Sequence, residues 1–388
     1  MSLSPHPHAA LRAALPCSRR RLCAALALLG LPGMAAAAEP HEIRLGSSAA
    51  LSGPAAALGS RYHAGARAGF EQINRQGGIA GRRVVLDLQD DGYEPARAES
   101  NTVALLQDPR VLALFGYIGT PTSRVALPHV RRAGIAYLGP FTGASMLWDS
   151  RSHPGVFNVR ASYNDEGHAL ARAIKAAGAR RVNVMVQADL FGRAGLEAMR
   201  EAAQAAGLEL AATATVRRNS TDVVEAARTL VSQHSADAIF MVSTYETCAA
   251  FMRQAHALGY RGRFYTLSFT GFEPLREALQ DDAELSARLT MAQVMPDAED
   301  RSVPVVAAYQ RAMREAGDRR FDSISLEGYL AARVMAEGLR RAEAPLSRAS
   351  LLRSLQALGD LDLGGYAVRY REDGLRGSSY VRLAGLRD

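Results

Sequence analysis

The sequence predicts an α/β protein built from two doubly wound parallel sheets. Short apolar segments alternate with amphipathic helical segments along most of the chain, a pattern typical of parallel strands covered by helices on both faces. The alternation runs through two successive series, which indicates two sheets. The chain has 388 residues and therefore exceeds the size of one ordinary hydrophobic core, which favours two domains.

The first series contains strands and helices of ordinary length. Its first helix places Ala66, Phe70 and Ile73 on one face. We expect Pro128 to bend or shorten the last helix of the series. The predicted strands are 43–46, 84–88, 111–115 and 135–138, and the predicted helices are 62–74, 95–107 and 122–133.

The second series begins after Val159 and repeats the alternation. No flexible, low-complexity linker separates the two series, so we expect several short crossovers to join them. The predicted helices are 164–177, 192–206, 222–233 and 245–258, and the predicted strands are 182–186, 208–215, 238–242 and 264–268. The C-terminal part adds helices at 303–316 and 323–341 and strand-like segments at 366–370 and 379–383.

Residues 1–38 have the composition of an export signal. Three consecutive arginines at 19–21 precede an apolar run at 22–31, which is shorter than the ~20 residues that span a bilayer and so argues against a membrane anchor. Four alanines at 35–38 follow the apolar run and supply the small residues that a signal peptidase requires. We therefore expect cleavage near Ala38 and a periplasmic location. The arginines also resemble a twin-arginine signal, so this route and the Sec route both stay open.

The rest of the chain carries a small and scattered positive charge. Removal of the first 38 residues takes away four arginines and lowers the formal charge from +7 to about +3. No basic run of the kind that binds nucleic acid remains, so no nucleic-acid partner is expected. Cys248 is then the single cysteine, which excludes an internal disulfide. No later stretch reaches ~18 uncharged apolar residues, which predicts a soluble mature protein.

The sequence contains no recognisable reactive machinery. We find neither a phosphate-binding loop nor a nucleophile elbow, and the histidines lack the spacing of zinc hydrolases. Asp90 and Asp91 are adjacent on a strand, so they point to opposite faces. We therefore expect a binding protein, not an enzyme, with no cofactor and no metal. A secreted enzyme is the weaker alternative because it needs a catalytic site.

Three loops of the first series stand where open α/β sheets bind ligands, beyond the carboxyl ends of strands. They are 51–54, 119–123 and 139–144. The last two combine hydroxyl groups with helix N-termini, which suits a carboxylate. The alternative is that these hydroxyls only cap a helix. The hydroxyl candidates for ligand binding are Ser52, Thr120, Thr122 and Thr142.

The equivalent turns of the second series are 189–192, 243–246 and 268–271. Phe191 and Tyr245 are candidates for aromatic walls over a ligand. Ordinary packing of these two rings is an equally open alternative.

Several short strings point to a known family. They are Leu51-Ser52-Gly53-Pro54, Ala64-Gly65-Ala66, Ile73-Asn74, Gly77-Gly78-Ile79-Ala80-Gly81, Asp90-Asp91 and Glu94-Pro95-Ala96. Together they resemble the leucine/isoleucine/valine-binding protein family, the periplasmic solute-binding proteins of ABC transporters. The resemblance implies a type I periplasmic binding protein fold, with two lobes joined by three crossovers. It places lobe 1 at 39–160 plus 291–363, lobe 2 at 161–290 plus 364–388, and the crossovers near 159–160, 292–294 and 364–365.

The resemblance also implies roles for the candidate residues. Thr120 or Thr122 matches a hydroxyl that binds the ligand carboxylate. Phe141 with Thr142 matches a segment that contributes a carbonyl and a hydroxyl to the ligand. The aromatic candidates of the second series match aromatic positions of the second lobe.

Two positions depart from the family pattern. Leu58 stands where amino acid binders tend to have a tyrosine, and Ser268 stands at or near the place of the glutamate that pairs with the ligand ammonium. A buried ammonium without a carboxylate is costly, so a small carboxylate or an amide fits as well as an amino acid. Glu246 is an alternative carboxylate. Ser268 remains a candidate ligand-binding residue.

The function implied by the resemblance is solute binding with domain closure. The ligand is a small amino acid, carboxylate or amide, and the monomeric receptor delivers it to the membrane subunits of an ABC permease. The alternative is a periplasmic sensor that presents ligand occupancy to a membrane signalling partner. Neighbouring permease genes favour transport and a neighbouring kinase gene favours sensing.

Overall fold

The computed structural model describes residues 41–371, 374–375 and 377–385, so the export signal expected at 1–38 lies outside the described residues. Strands β1 to β14 are Glu42–Ala49, Arg83–Asp90, Val111–Phe115, Ala136–Leu138, Val156–Phe157, Arg181–Gln187, Glu209–Val216, Ala238–Val242, Arg263–Thr266, Leu289–Gln293, Gly359–Asp362, Ala367–Arg371, Gly374–Leu375 and Arg382–Gly385. Helices α1 to α12 are Ala56–Arg75, Pro95–Gln107, Thr120–Ala133, Tyr163–Ala176, Leu190–Ala206, Val224–Ala227, Tyr245–Ala257, Phe272–Ala278, Ala283–Ser286, Pro304–Glu315, Ser323–Arg341 and Arg348–Gln356.

The first sheet has the order β2-β1-β3-β4-β5 within the described residues, and all of its neighbouring strands are parallel. Its third strand, β3, has the sequence VLALF and is buried along its whole length. A continuous apolar strand of this kind requires helices on both faces. The prediction of a parallel sheet from the first series is confirmed.

The second sheet has the order β14-β10-β9-β8-β6-β7 within the described residues. Its strands are parallel except β14, which runs antiparallel to β10 at one edge. A separate antiparallel sheet contains β11, β12 and β13. The second predicted parallel sheet is therefore confirmed, with an antiparallel edge strand that the periodicity did not indicate.

Helix α3 continues through Pro128 to Ala133, so the expected shortening is wrong. Pro128 lies on the exposed side of the helix, as does Arg124. Pro128 has no N–H to donate to the carbonyl of Arg124. Arg124 lies on the exposed side of the helix, where water can take the place of that donor. The helix ends at Gly134, which adopts the left-handed conformation with φ of 57°.

Helices α1 and α11 pack at very short range. A Cβ atom at Gly65 would lie 1.7 Å from the carbonyl oxygen of Ser325, and one at Gly328 would lie 1.9 Å from the carbonyl oxygen of Tyr62. Only glycine permits this approach. The close packing fixes α1, and Tyr62 on α1 donates a hydrogen bond to the carbonyl oxygen of Gly139 at 2.7 Å, beyond the end of β4.

The segments that pass between the two sheets meet at one side chain. The hydroxyl of Tyr366 lies 3.0 Å from the carbonyl oxygen of Val159 and 3.0 Å from that of Val294, and it donates its proton to this pair of acceptors. Val159 follows β5, Val294 follows β10 and Tyr366 precedes β12. We call Tyr366 and these two carbonyl groups the crossover contact.

Candidate ligand-binding site

The loops that follow β3 and β4 lie side by side at the carboxyl end of the first sheet. The backbone N–H of Gly119 donates to the carbonyl oxygen of Phe141 at 3.1 Å, and the N–H of Phe141 donates to that of Tyr117 at 2.8 Å. The hydroxyl oxygens of Thr120 and Thr142 lie 2.7 Å apart as a result. The structure thus brings together two of the predicted site residues.

A chain of buried hydroxyl groups extends from these loops. Thr142 donates to the hydroxyl of Tyr163 at 3.1 Å and accepts from the backbone N–H of Ala144 at 3.3 Å. Thr120, Thr142 and Tyr163 are at most 2% exposed. Tyr163 begins α4, which leads to the second sheet. Hydroxyl groups rotate to donate or accept, so this hydroxyl chain can bind an oxygen acceptor such as a carboxylate.

Thr122 makes local contacts at the start of α3. Its hydroxyl donates to the carbonyl oxygen of Ile118 and lies 3.0 Å from that of Gly119. The alternative for this hydroxyl was helix capping, in which it would accept from a backbone N–H, but the N-cap residue of α3 is Gly119 and no side chain caps the helix. The hydroxyl instead donates back to carbonyl groups of the preceding turn. Ligand binding by Thr122 stays a prediction.

Gly119 allows the loop after β2 to reach the loop after β3. Its φ is 99°, and a Cβ atom there would lie 2.2 Å from Cε2 of Tyr93. Any other residue would be strained by the backbone and would displace the tyrosine ring. The ring of Tyr93 therefore sits against the predicted ligand loops.

Phe269 connects aromatic rings that come from both sheets. Its ring centroid lies 4.5 Å from that of Phe191, 5.5 Å from that of Phe141 and 6.0 Å from that of Tyr93. Phe191 also lies 5.7 Å from Tyr163. We call these five rings the aromatic cluster, and their tilted arrangement is typical of favourable ring pairs. Phe141 and Phe191 were predicted site residues, whereas Phe269 was missed although it follows β9 in a turn of the same kind.

Tyr245 lies apart from the aromatic cluster. It begins α7 and is 9% exposed, and burial raises the pKa of its hydroxyl while the backbone of Ala57 on α1 opposes the rise. Among the described residues, it makes no ring contact with the aromatic cluster. A role for Tyr245 as a wall over the ligand stays a prediction.

Ser52 lies at the exposed edge of the loop after β1. Its hydroxyl donates to Asp90 at 2.6 Å, and the same carboxylate accepts the backbone N–H groups of Leu51 and Gly92, each at 2.9 Å. Although burial opposes the shift, these hydrogen bonds hold the pKa of Asp90 well below its ordinary value. Ser52 thus shapes this loop, and its contact with a ligand stays a prediction.

Ser268 lies against three buried charged residues, Arg160, Glu166 and Glu327, which we call the charge cluster. The backbone N–H and hydroxyl of Ser268 donate to Glu166 at 2.7 and 2.9 Å, and Arg160 donates to the Ser268 hydroxyl. Nitrogens of Arg160 lie 3.8 Å from a carboxylate oxygen of Glu166 and 3.8 Å from one of Glu327. The three charged residues are at most 3% exposed.

Burial dominates the titration of this cluster. It raises the pKa of Glu327 to about 7, although the charge of Arg160 opposes the rise. It also raises the pKa of Glu166, against the effects of Arg160 and of the Ser268 hydrogen bonds. At neutral pH the cluster therefore contains the guanidinium of Arg160 and the carboxyl group of Glu327, which is only partly ionised.

A small cavity adjoins the charge cluster and the predicted ligand loops. Its walls include Phe141, Arg160, Ser268 and Glu327, and its volume is about 10 Å³. That is about the space of one water molecule. The guanidinium carbon of Arg160 also lies 4.7 Å from the ring centroid of Phe141, within the range of a cation–π contact.

The charge cluster was missed by sequence reasoning, although a signal for it exists. Glu166 and Glu327 lie on the buried faces of α4 and α11, among apolar residues. An acidic residue in the apolar stripe of a helix indicates a buried partner. Glu246, the alternative carboxylate, is half-buried in the first turn of α7 and takes no part in the charge cluster.

A polar contact at the outer edge also joins loops of the two sheets. Arg218 donates to Glu94 at 2.6 Å and lies 3.7 Å from Asp189, and Asn219 donates to Glu94 at 2.8 Å. Glu94 follows β2, whereas Arg218 and Asn219 follow β7. We call these side chains the rim contact.

In residues 41–371 and the short C-terminal ranges, no helix combines the length and apolar character of a membrane span. The same residues contain no group of three or more histidine, cysteine, aspartate or glutamate side chains placed to hold a metal ion.

Comparison with known proteins identifies the fold and the family. The family model described as periplasmic binding protein matches residues 42–387. A crystal structure of a possible leucine/isoleucine/valine-binding protein from Rhodopirellula baltica is 30% identical, has a TM-score of 0.82, and is matched over 90% of this chain and 95% of that one. The chain therefore has the type I periplasmic binding protein fold that the resemblance implied.

Two further comparisons are more distant. The Leu/Ile/Val-binding protein BraC3 of Rhizobium johnstonii is 26% identical over 56% of this chain, and the match spans 59% of BraC3. A branched chain amino acid ABC transporter structure from Thermus thermophilus with bound valine has a TM-score of 0.79 at 19% identity, with 89% of this chain and 93% of that chain covered. This chain belongs to the leucine/isoleucine/valine-binding protein family of periplasmic binding proteins.

Proposed function

We propose that this protein binds a small amino acid, carboxylate or amide between its two sheets and delivers it to the membrane subunits of an ABC permease. The observation that carries the proposal is the meeting of loops from the carboxyl ends of both sheets. The hydroxyl chain of Thr120, Thr142 and Tyr163 adjoins the aromatic cluster, so a polar and an apolar surface lie together. Such a combination suits a small solute with one polar end.

Binding in this proposal requires the two halves to separate and close again. The cavity beside Phe141 and Ser268 holds about one water molecule, so a larger ligand enters only when the loops move apart. We assign 39–160 plus 291–363 to lobe 1 and 161–290 plus 364–388 to lobe 2, with the crossover contact at the hinge. Ligand that touches both lobes then favours the closed form.

The proposal places the mature protein in the periplasm after cleavage near Ala38. Membership in a family of periplasmic binding proteins supports this location. In this proposal the protein binds and releases the ligand without changing it chemically.

The test is a binding screen of the purified chain after unfolding and refolding to remove bound solute. Amino acids, aromatic acids and amides are compared by thermal shift and then by calorimetry. A dissociation constant near 1 μM corresponds to about −8 kcal/mol, and a hundredfold excess of such a ligand stabilises the fold by about 3 kcal/mol. Circular dichroism confirms refolding, and mass spectrometry of the released compound shows whether it is unchanged. A folded protein that binds no compound of any class contradicts the proposal.

A further inference from the structure

Arg160 is fully buried and lacks hydrogen-bond acceptors. Its Nη2 atom donates to the hydroxyl of Ser268. Its Nε and Nη1 atoms have no hydrogen-bond partner within the described residues, and we call these two nitrogens the free donors of Arg160. Nε lies 3.8 Å from a carboxylate oxygen of Glu327, which is too far for a hydrogen bond. A buried charged donor without an acceptor is unfavourable, so this place favours an oxygen atom that the described residues do not supply.

The neighbouring carboxyl groups are poor acceptors for these nitrogens. Glu166 already accepts two hydrogen bonds from Ser268, at 2.7 and 2.9 Å. Burial raises the pKa of Glu327 to about 7, although the charge of Arg160 opposes the rise, so this carboxyl group is about half protonated at neutral pH. Burial also opposes ionisation of the guanidinium, but the charges of the two glutamates hold the pKa of Arg160 above its ordinary value. The guanidinium therefore stays charged while Glu327 can take up a proton.

Arg160 borders the cavity beside the proposed ligand loops. It lines this cavity together with Phe141, Ser268 and Glu327, and Phe141 precedes Thr142 of the hydroxyl chain in sequence. The cavity has the volume of about one water molecule, so it admits a ligand group only when the two halves separate. Once Glu327 is protonated, its hydroxyl is a further donor. The cavity thus presents mainly donors, which suit an oxygen acceptor better than an ammonium group.

We propose that the free donors of Arg160 bind the carboxylate of the ligand, and that the ligand is a small carboxylic acid without an amine. The carboxylate supplies the missing acceptors through charge-assisted hydrogen bonds. An ammonium group in the same place would bring donors against donors and one positive charge against another. The proposal rests on the proposed solute-binding function and narrows its substrate class to acids, as opposed to amino acids or amides. Binding of this anion also draws a proton onto Glu327.

The first test measures affinity at pH 7 by calorimetry with matched probes. Each set contains an amino acid, the acid that lacks its amine and the amide of that acid, for example leucine, 4-methylpentanoate and 4-methylpentanamide, or phenylalanine, 3-phenylpropanoate and 3-phenylpropanamide. We expect an acid to bind at least tenfold more tightly than the amino acid and the amide of its set. An acid and an amide that bind equally well show that the cavity holds water alone, and this result overturns the proposal.

A variant of Arg160 tests the residue directly. Arg160→Lys keeps the positive charge but removes the fork of donors, so we expect it to lower the affinity for the acid at least tenfold and the affinity for the amide by less. The matched control is Arg348→Lys, because Arg348 donates to backbone carbonyls of Val111 and Asp108 at the opposite end of β3, and its acid affinity stays unchanged. Circular dichroism confirms that each variant is folded. Equal losses for acid and amide in Arg160→Lys overturn the proposal.

The second test needs no change to Arg160. Because the pKa of Glu327 is about 7, binding of an acid completes its protonation and takes up about half a proton per ligand at pH 7, and acid affinity falls about tenfold from pH 6 to pH 8. Proton uptake is obtained from binding enthalpies in buffers of different ionisation enthalpy. We expect Glu327→Gln to abolish both the uptake and the pH dependence. Proton release in place of uptake by the unchanged protein overturns the proposal.

Other titratable groups near Glu327 are separated by the same variant. Tyr62 and Tyr366 face Glu327 and have pKa values raised far above neutral by burial. Glu166 also faces it, and Glu273 accepts from Ser323, which lines the same cavity. Burial raises the pKa of both glutamates, that of Glu273 to about 7. Uptake that persists in Glu327→Gln therefore comes from one of these two and overturns the coupling to Glu327.

The outcomes separate this inference from the proposed function. If amino acids or amides bind and no acid is preferred within its set, the role of Arg160 is refuted and the solute-binding function stands. If no probe binds to the folded protein, the solute-binding function fails and the acid site fails with it.

Discussion

Replacement of Arg160 by methionine tests whether the charge cluster is a stabilising unit. The guanidinium is fully buried, donates to Ser268, and lies 3.8 Å from both carboxyl groups and 4.7 Å from the centroid of Phe141. Removal of one partner of a buried ion pair costs about 3–5 kcal/mol, and loss of the cation–π contact adds about 1 kcal/mol. We expect Arg160→Met to lower the free energy of unfolding by about 4–6 kcal/mol at pH 8.

The cost should depend on pH and on the two glutamates. At pH 5 both carboxyl groups are easier to protonate, so the variant should lose less stability than at pH 8. The triple variant Arg160→Met, Glu166→Gln, Glu327→Gln should recover most of the loss, because the unpaired charges are gone. Urea denaturation of ligand-free protein, followed by circular dichroism, measures each value. A loss below about 1 kcal/mol at pH 8, or a triple variant no more stable than the single one, would refute the reasoning.

Three other predictions follow from the same contacts. Thr142→Val should weaken binding of the preferred solute by about 1–3 kcal/mol in calorimetry, because a ligand acceptor loses its donor. Thr122→Val should lower the affinity less, since that hydroxyl already donates to backbone carbonyls. Equal losses of affinity in the two variants would count against this distinction. Phe269→Ala should lower the free energy of unfolding in urea by about 3–5 kcal/mol, because the ring is buried and contacts three other rings. A free energy of unfolding close to that of the unchanged protein would show that these contacts contribute little. The pKa of Glu327 is raised to about 7 in the folded protein, so above pH 4.5 the folded protein binds more protons than the unfolded chain. The free energy of unfolding should therefore fall as pH rises from 5 to 8. The melting temperature of Glu327→Gln should fall less over this range, and parallel curves for the two proteins would contradict the assignment.

The sheets were predictable because the alternation of apolar segments reports burial directly. Strands 111–115 and 238–242 were predicted with the bounds that β3 and β8 have in the structure. Helix boundaries were less predictable. Helix α1 begins at Ala56, six residues before the predicted start, and its N-cap residue Ala55 makes no side-chain hydrogen bond that could have marked the beginning. The predicted helix at 222–233 begins at Val224 and continues from Arg228 with π-helical hydrogen bonds, which periodicity does not reveal.

The site was predictable only where local sequence places its residues. Thr120 and Thr142 follow neighbouring strands of one sheet, so their meeting follows from the general geometry of parallel sheets. Acidic residues on two buried helix faces indicate buried partners, but no local pattern shows that Glu327 meets Arg160 and Glu166, which lie far from it in sequence. Phe269, the central ring of the aromatic cluster, was missed although its turn at 268–271 was recognised, because no local pattern shows that three rings from other turns meet there.

The crossover contact has a mechanical consequence for the proposed closure. The hydroxyl of Tyr366 holds two neighbouring segments at a single point, with both acceptor oxygens 3.0 Å away. In the proposed closure the two halves turn about this point, so Tyr366 keeps both of its acceptors. The ion pair between Glu94 and Arg218 joins loops of the two sheets and has to break before solute enters between them.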